Sequence, residues 1–183
     1  MIFSKTKLEG ALIIKIDKKK DERGFFARTW DSKKFKEFGL NFKFVQNSIS
    51  FTKKKGTIRG MHYQIAPHTE TKIVRCTQGK ILDIIIDLRL KSPTFKKWIS
   101  VELSSKNYKM IYIPKGFAHG FQTLEDNSEV IYQISEFFMP KYAKGIRWND
   151  PMFKIKWPLK PTIISKKDKD YQFFDEKNFL KII

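Results

Sequence analysis

Short apolar runs with the two-residue period of β-strands recur through most of the chain. The run Lys80–Leu88 carries apolar side chains at both parities, which indicates a strand that is buried on both faces of a sheet. Further runs of this kind are Leu8–Ile16, Phe42–Phe51, Ile73–Cys76, Trp98–Leu103, Met110–Ile113, Phe117–Leu124 and Glu129–Phe138. Turn residues separate the central runs at intervals of roughly 8–12 residues, a spacing typical of a β-sandwich or barrel.

Helical signals are few and local. The pair Asp31-Ser32 is an N-cap signal that opens a short helix running to Phe38. The alternation of strands with long helices that marks a parallel sheet is missing from the sequence. We therefore predict an all-β jelly roll with short peripheral helices. We expect residues 1–183 to form one domain, with a looser C-terminal tail from about Pro158.

The charge balance is strongly basic, with 37 Lys and Arg against 19 Asp and Glu and a formal net charge of +18. Such a balance raises the hypothesis of a nucleic-acid partner. Only six of the basic residues are arginine, however, and the lysines are spread along the whole chain. Groove-reading proteins rely on clustered arginine, so we expect no nucleic-acid partner. The excess lysine is solvated surface or, alternatively, a basic patch for an anion such as a nucleotide diphosphate.

Targeting and redox signals point to the cytoplasm. The single cysteine, Cys76, cannot form an intrachain disulfide, and the N-terminal residues contain no apolar run of signal-peptide length. Lys or Glu interrupts every hydrophobic run before the roughly 20 residues that a membrane span needs. We expect no membrane partner.

Two of the three histidines, His62 and His119, lie among glycines in strand-like segments. Glycine beside a strand residue often marks close approach of a ligand or of another backbone. In a regular strand His62 shares a face with Gly60 and Gln64, whereas Arg59 and Tyr63 face the other way, so any site must be assembled across strands.

Three hypotheses remain for these histidines. In the first, His62, Glu70 and His119 bind a metal in a cupin-type site, although a glutamine at position 64 is a poor ligand for transition metals. In the second, His62 is a general base in a metal-free pocket, with a lysine and a tyrosine as electrophile and acid. In the third, the domain only binds a sugar or nucleotide, and the histidines are structural.

Nine sequence blocks, which together cover most of the chain, carry a family resemblance. They are DERGFFARTW at 21–30, GTIRGMHYQ at 56–64, TKIVRCTQGKILDIIIDLR at 71–89, KSPTFKKWISVELS at 91–104, IYIPKGFAHGFQTLED at 111–126, VIYQISEFF at 130–138, GIRWNDP at 145–151, IKWP at 155–158 and ISKKD at 164–168. In order and spacing these blocks resemble the dTDP-4-dehydrorhamnose 3,5-epimerase family. That resemblance implies a cupin-type jelly roll, or double-stranded β-helix, that acts on sugar nucleotides.

The resemblance also implies a catalytic set. His62 would remove the proton next to the 4-keto group, and Lys72 would face the developing enolate oxygen. Tyr132 would return a proton on the opposite face of the ring. Asp168 would hold the tautomer of His62, and His119 would line the same pocket. The resemblance implies no metal and no organic cofactor.

A second implied set binds the nucleotide, partly across a dimer interface: Arg23, Phe26, Gln46, Ser48, Arg59 and Phe138. Ser48 stands where the family usually has asparagine, Phe137-Phe138 replaces a tyrosine pair, and Arg28 replaces a common glutamate. These departures are at positions that recognise the nucleotide base and not at the catalytic positions. The resemblance therefore leaves a CDP- or GDP-linked sugar and inversion at a single carbon open. Asp83 lies in an apolar strand and needs a partner if it is buried, so we also expect it to support a pocket histidine.

The resulting prediction is an isomerase that inverts C3, C5 or both in a nucleotide-linked 4-keto-6-deoxy sugar. The favoured reaction converts dTDP-4-dehydro-6-deoxy-D-glucose to dTDP-4-dehydro-L-rhamnose, for surface polysaccharide. The alternatives are a single-centre epimerase, a 3,4-ketoisomerase of the same fold and a non-catalytic sugar-nucleotide-binding module. The resemblance implies a homodimer with an exchanged N-terminal strand, for which Leu12–Ile14 is the candidate.

Overall fold

Two facing antiparallel sheets dominate the computed structural model, which describes residues 1–40 and 43–179. In chain order the elements are β1 (Ile2–Lys5), β2 (Leu12–Lys15), β3 (Lys19–Asp21), β4 (Gly24–Phe26), α1 (Ser32–Glu37), β5 (Gln46–Thr52), β6 (Ile58–Gln64), β7 (Lys72–Gln78), β8 (Lys80–Asp87), β9 (Trp98–Ser104), β10 (Met110–Ile113), β11 (Phe117–Thr123), β12 (Ser128–Ile134), β13 (Ala143–Gly145), α2 (Lys166–Asp170) and α3 (Glu176–Phe179).

The sheets have the interleaved order of a jelly roll. The first sheet runs β1-β2-β10-β7-β12-β5 and the second runs β13-β6-β11-β8-β9, while β3 and β4 form a separate hairpin. Several neighbouring strands, such as β6 and β11, come from distant parts of the sequence, so the fold brings the histidine of β6 beside the histidine of β11. The predicted all-β jelly roll with short helices is confirmed.

Strand β8 packs against apolar side chains on both faces, as its sequence predicts. Ile81 and Ile85 face the first sheet and belong to the core between the two sheets. Ile84 and Ile86 face the other way, toward Phe153 and other side chains of the C-terminal half. Each buried isoleucine of this kind contributes about 1.5–3 kcal/mol to stability.

Helix α1 covers the outer face of the first sheet. Its N-cap is Asp31, whose side chain accepts hydrogen bonds from the N–H groups of Lys33 and Lys34. Phe35 is fully buried and packs on Ile14 of β2 in a third apolar cluster. The predicted helix is therefore confirmed.

The boundaries of three predicted strands differ from the structure. The run Leu8–Ile16 forms a strand only at β2, and the unpredicted β1 pairs with it at the edge of the sheet. The run Phe42–Phe51 is a strand from Gln46 onward, and Phe42 itself lies outside the described residues. In the run Glu129–Phe138 the strand ends at Ile134, because Ile134 pairs with the first residues of β5 and β7 and later residues have no partner strand.

The predicted exchange of Leu12–Ile14 with a partner stays a prediction, since the structure describes one chain. Those residues pair with β10 of the same chain, where Ile14 lies opposite Met110. The segment is thus inside its own sheet, and β1 forms the edge.

The predicted loose tail is wrong for residues 162–179. Thr162 N–H donates to Gly56 O, and Ile58 N–H donates to Ile163 O, so the tail is bonded to the start of β6. Helix α2 then presents Asp168, which is 4% exposed, to the middle of that strand. In the described part of the chain, no helix has the length and apolarity needed to cross a membrane.

A bulge in β6 changes which side chains face the same way. His119 lies opposite His62 and Phe121 lies opposite Arg59, so three steps along β6 match two steps along β11. The extra residue reverses the alternation between Arg59 and His62. At this point the backbones of Gly60 and Gly120 touch so closely that a Cβ on Gly60 would lie 2.5 Å from the Gly120 Cα. The sequence expectation that Arg59 and His62 differ in orientation is therefore wrong.

Candidate active site

A cavity of about 610 Å³ opens between the two sheets and is closed on one side by the C-terminal tail. Its walls come from β5, β7 and β12 of the first sheet, from β6 and β11 of the second, and from α2. Nine of the sequence-predicted residues line it: His62, Lys72, His119, Tyr132, Asp168, Gln46, Ser48, Arg59 and Phe138. The volume lies within the range of small-molecule sites.

His62 and Asp168 form a dyad at the cavity wall. The His62 Nε2 lies 2.7 Å from Asp168 Oδ1, and Asp168 Oδ2 accepts the Gly60 N–H at 3.1 Å. Burial acts to raise the pKa of Asp168, but the hydrogen bonds from His62 and Gly60, with the charge of His62, lower it below its ordinary value. The carboxylate therefore stays ionised at neutral pH. It engages Nε2 and leaves Nδ1 of His62 to accept a proton.

We expect Asp168→Asn to lower kcat by about 100-fold or more, with the fold retained. The amide fits the same space, but its NH2 group would face His62 Nε2 once its oxygen accepts the Gly60 N–H. Nε2 would then act as the acceptor, and the proton would move to Nδ1, the nitrogen that must be free. Steady-state kinetics and a melting curve measure this prediction. A kcat equal to that of the natural protein would contradict it.

His119 and Asp83 form a second pair deeper between the sheets. Their Nε2 and Oδ2 atoms are 2.7 Å apart, and the Asp83 side chain is fully buried. Burial raises the pKa of Asp83, and the charges of His119 and Lys72 partly oppose that effect. The contact expected between Asp83 and a pocket histidine is thus present.

Tyr132 lies across the cavity from the dyad. Burial strongly raises the pKa of its hydroxyl and the charge of Asp83 raises it further, while Arg59 and Ser50 act in the opposite direction. The phenol is therefore protonated at neutral pH and can act as an acid. The ring lies 5.9 Å from that of His119, in an edge-to-face arrangement.

Lys72, the first residue of β7, brings a positive charge to the same cavity. Its Nζ lies 2.7 Å from Glu70 Oε1, and both side chains are about nine-tenths buried. Arg59, held through its Nε by Thr52 Oγ1 at 3.0 Å, adds a second positive charge. The cavity is therefore suited to an anionic ligand or an anionic intermediate.

Two predicted substrate-binding residues, Arg23 and Phe26, do not reach the cavity of their own chain. They belong to the β3–β4 hairpin, where Arg23 pairs with Asp21 at 2.6 Å. Phe26 is 70% exposed. Their predicted contribution across a dimer interface stays a prediction.

The three candidate metal ligands do not converge. His62 is paired with Asp168, Glu70 with Lys72, and His119 with Asp83. Within residues 1–40 and 43–179, no three His, Cys, Asp or Glu side chains come together as a metal site. The donor set assumed by the metal hypothesis is therefore not assembled.

Sequence reasoning gave no role to several residues that line the cavity: Ser50, Tyr63, Lys144, Lys167 and Tyr171. Tyr171 follows α2 and contacts His62 with ring centroids 5.8 Å apart. Glu70 was considered only as a metal ligand. Its spacing of two residues from Lys72, which gives both side chains one face of an extended segment, is the signal that could have revealed their pairing.

Comparison with known proteins identifies the family. The sequence model described as dTDP-4-dehydrorhamnose 3,5-epimerase matches residues 5–176, nearly the whole chain. The chain belongs to the dTDP-4-dehydrorhamnose 3,5-epimerase family. Members of this family are carbohydrate epimerases, so the chain is an isomerase.

Individual members of the epimerase family agree in sequence and in structure. The dTDP-4-dehydrorhamnose 3,5-epimerase of Shigella flexneri is 39% identical over 176 residues, which are 96% of this chain and 97% of the relative. A solved structure of the Elizabethkingia anophelis epimerase has a TM-score of 0.93 at 37% identity, with 97% and 98% of the two chains covered. The Legionella pneumophila epimerase, solved with dTDP-4-keto-L-rhamnose, has a TM-score of 0.88 at 36% identity, with 94% and 92% covered.

Proposed function

We propose that this chain inverts C3 and C5 of dTDP-4-dehydro-6-deoxy-D-glucose and so forms dTDP-4-dehydro-L-rhamnose. The observation that carries the proposal is the arrangement of base and acid. His62 projects from β6 of the second sheet and Tyr132 from β12 of the first, with the cavity between them. Inversion needs proton removal on one face and proton return on the other. Two groups of different type on opposite walls meet that requirement.

The first step is proton abstraction. His62, oriented by Asp168, takes the proton from the carbon next to the 4-keto group, and the C–H electron pair moves into an enolate. The Lys72 ammonium stabilises the negative charge on the enolate oxygen as it develops. Without such a cation the proton is too weakly acidic for a histidine to remove.

The second step is reprotonation. The Tyr132 hydroxyl donates its proton to the carbon from the opposite face, and the enolate electrons re-form the C–H bond and the carbonyl. Arg59 acts on the resulting phenolate, because its charge favours the ionised form of Tyr132. Solvent then restores the proton on Tyr132 and removes the proton that His62 took.

The diphosphate is assigned to the cationic side chains that line the cavity. Lys144 of β13 and Lys167 of α2 line the same cavity as Arg59, so three cations are available to two phosphate groups. Gln46 and Ser48 of β5, with Phe138, also line the cavity and are proposed to contact the nucleoside. The phenyl ring of Phe138 supplies a stacking face without a hydroxyl.

The test of the reaction uses three matched substrates that differ only in the nucleotide: the dTDP-, CDP- and GDP-linked 4-keto-6-deoxy glucose. A 4-keto reductase specific for the L-lyxo product traps that product, and NMR identifies the sugar. We expect product from the dTDP sugar at a kcat/KM at least tenfold above the others. A carbonyl moved to C3 would instead show a ketoisomerase, and binding without turnover would show a binding module.

We further propose that two copies form a homodimer in which Arg23 and Phe26 of one chain contact the partner's cavity. Three observations support it: Phe26 is 70% exposed on a hairpin remote from its own cavity, and Ile49 and Phe51 expose 65% and 47% of their surface on β5. An apolar sheet edge of this kind suits a protein partner. Sedimentation should give twice the 21.7 kDa of one chain.

A mixing experiment tests the shared site. His62→Ala and Arg23→Ala proteins, each weakly active alone, are unfolded together and refolded as a mixture. Half of the dimers then contain one cavity with both natural residues, so activity should return to about a quarter of the natural level. If Arg23 serves the cavity of its own chain, mixing restores nothing.

We also propose a reducing, cytoplasmic location, because the substrate is a nucleotide sugar and Cys76 is a free buried thiol. Cell fractionation with an antibody against the chain tests this proposal. Recovery in an extracytoplasmic fraction would contradict it.

A further inference from the structure

The Lys72 ammonium interacts with the carboxylates of Glu70 and Asp83, and its short contact is with Glu70. Its Nζ contacts Glu70 Oε1 at 2.7 Å. The second carboxylate, Asp83, feels the charge of Lys72 but forms its short contact with His119 instead. A lysine ammonium has three donors on a flexible stem, so its direction depends on which acceptor engages it.

Glu70 is itself fixed by the amide of Gln64. The Gln64 Nε2 donates to Glu70 Oε2 at 3.3 Å and also to the carbonyl oxygens of His68 and Phe137 at 3.0 and 3.1 Å. Its Oε1 accepts the Met139 N–H at 2.7 Å. Gln64 therefore ties Glu70 to two loops, which gives the carboxylate a defined position at the cavity.

Asp83 offers a competing acceptor. The residue is fully buried, and its Oδ1 atom has no hydrogen-bond partner among the described residues. A buried acceptor without a partner is unfavourable, so a nearby ammonium that lost its own partner would move toward it. Such a movement would take the positive charge of Lys72 toward the interior and away from the ligand.

We propose that Glu70 is a positioning residue that holds the Lys72 ammonium at the cavity and keeps it from Asp83. This proposal rests on the proposed function, in which Lys72 stabilises the enolate. Glu70 acts through Lys72 and needs no contact with the sugar. One donor of the ammonium binds Glu70, and the other two are left for the 4-keto oxygen as its charge develops.

The test compares Glu70→Ala with Glu70→Gln. Alanine removes the acceptor, so we expect kcat to fall at least about tenfold while KM changes less than about twofold, because the lost interaction matters mainly in the transition state. Glutamine gives up the negative charge and the 3.3 Å contact with Gln64, but it keeps one acceptor oxygen that can hold the Lys72 ammonium in place. It should therefore restore kcat to within about threefold of the natural value.

Glu136→Ala is the matched control. Glu136 is a half-buried carboxylate of the adjoining loop, pairs with His68 at 3.6 Å and does not line the cavity. Its loss should leave kcat unchanged. Calorimetric titration with dTDP should give the same affinity for all variants, which separates a positioning effect from a damaged cavity.

The outcomes distinguish the two proposals. Natural protein that fails to turn over the dTDP sugar overturns the proposed function and, with it, the role of Glu70. Active natural protein with an equally active Glu70→Ala variant overturns only the role of Glu70. A fall in kcat for Glu70→Ala that Glu70→Gln does not restore, or that Glu136→Ala shares, would show a structural effect and also overturn it.

Discussion

The His62→Ala variant should lose proton removal at both C3 and C5, with kcat reduced by about 1,000-fold or more. A positioned general base contributes roughly 10²- to 10⁴-fold, and here the same side chain serves both carbons. The imidazole lies 2.7 Å from the Asp168 carboxylate and is 43% exposed toward the cavity. Water that enters the vacated space is a much weaker base than imidazole. The measurement is the rate at which the C3 and C5 proton signals disappear in D2O.

His68→Ala is the control for this prediction. His68 contacts Tyr142 and lies 3.6 Å from Glu136, outside the residues that line the cavity. Its removal should leave the exchange rates within about twofold of natural, as expected for a side chain away from the reaction. Exchange at the natural rate in His62→Ala would exclude His62 as the base.

The Tyr132→Phe variant should separate exchange from inversion. His62 and Lys72 remain, so a proton still leaves the carbon and deuterium still returns from the His62 side. The donor on the opposite face is absent, and inversion should slow by about 100-fold or more. The phenyl ring keeps the packing against His119. The ratio of deuterium incorporation to product formation, measured by NMR on one sample, should therefore rise sharply.

Tyr142→Phe is the matched control, since Tyr142 loses the same hydroxyl but does not line the cavity. Its ratio should equal that of the natural protein. If exchange and inversion fall in parallel in Tyr132→Phe, the tyrosine takes part in the first proton transfer or in maintaining the cavity. The proposed roles of His62 as base and Tyr132 as acid would then be wrong.

Much of the fold could be predicted because local signals and tertiary packing agree. The isoleucines of β8 contact apolar side chains on both faces of the sheet. The unbroken run of isoleucine at positions 84–86 indicates this burial in the sequence. Asp31 caps α1 as its sequence position suggests. Where the hydrophobic pattern and the local backbone preference agree in this way, a single sequence predicts the strand or helix.

The site was less predictable, because its geometry depends on contacts between distant segments. The two-residue period places Arg59 and His62 on opposite faces, but the bulge opposite β11 reverses this relation. The local sequence of residues 59–62 does not predict which strand they pair with. Asp168 likewise belongs to a segment that reads as a loose polar tail, and only its contacts with Gly60 and His62 hold it at the cavity.

The catalytic set could be proposed from the sequence only through the family resemblance. Tyr132 and Lys72, taken alone, are a strand tyrosine and one charge among many lysines. The structure adds the relations that the resemblance does not contain: the contact of Lys72 with Glu70 and the unpaired oxygen of Asp83. Those relations arise from side-chain packing, which has no periodic signature in the sequence.

The central claim is that one cavity removes and returns protons at both C3 and C5 with inversion. Its most direct test is incubation of the purified protein with dTDP-4-dehydro-6-deoxy-D-glucose in D2O, followed by NMR and mass measurement of the sugar. We expect the C3 and C5 signals both to disappear and the product to gain two deuterons in the L-lyxo configuration. One deuteron at a single inverted carbon, or retention of both proton signals, would contradict the claim.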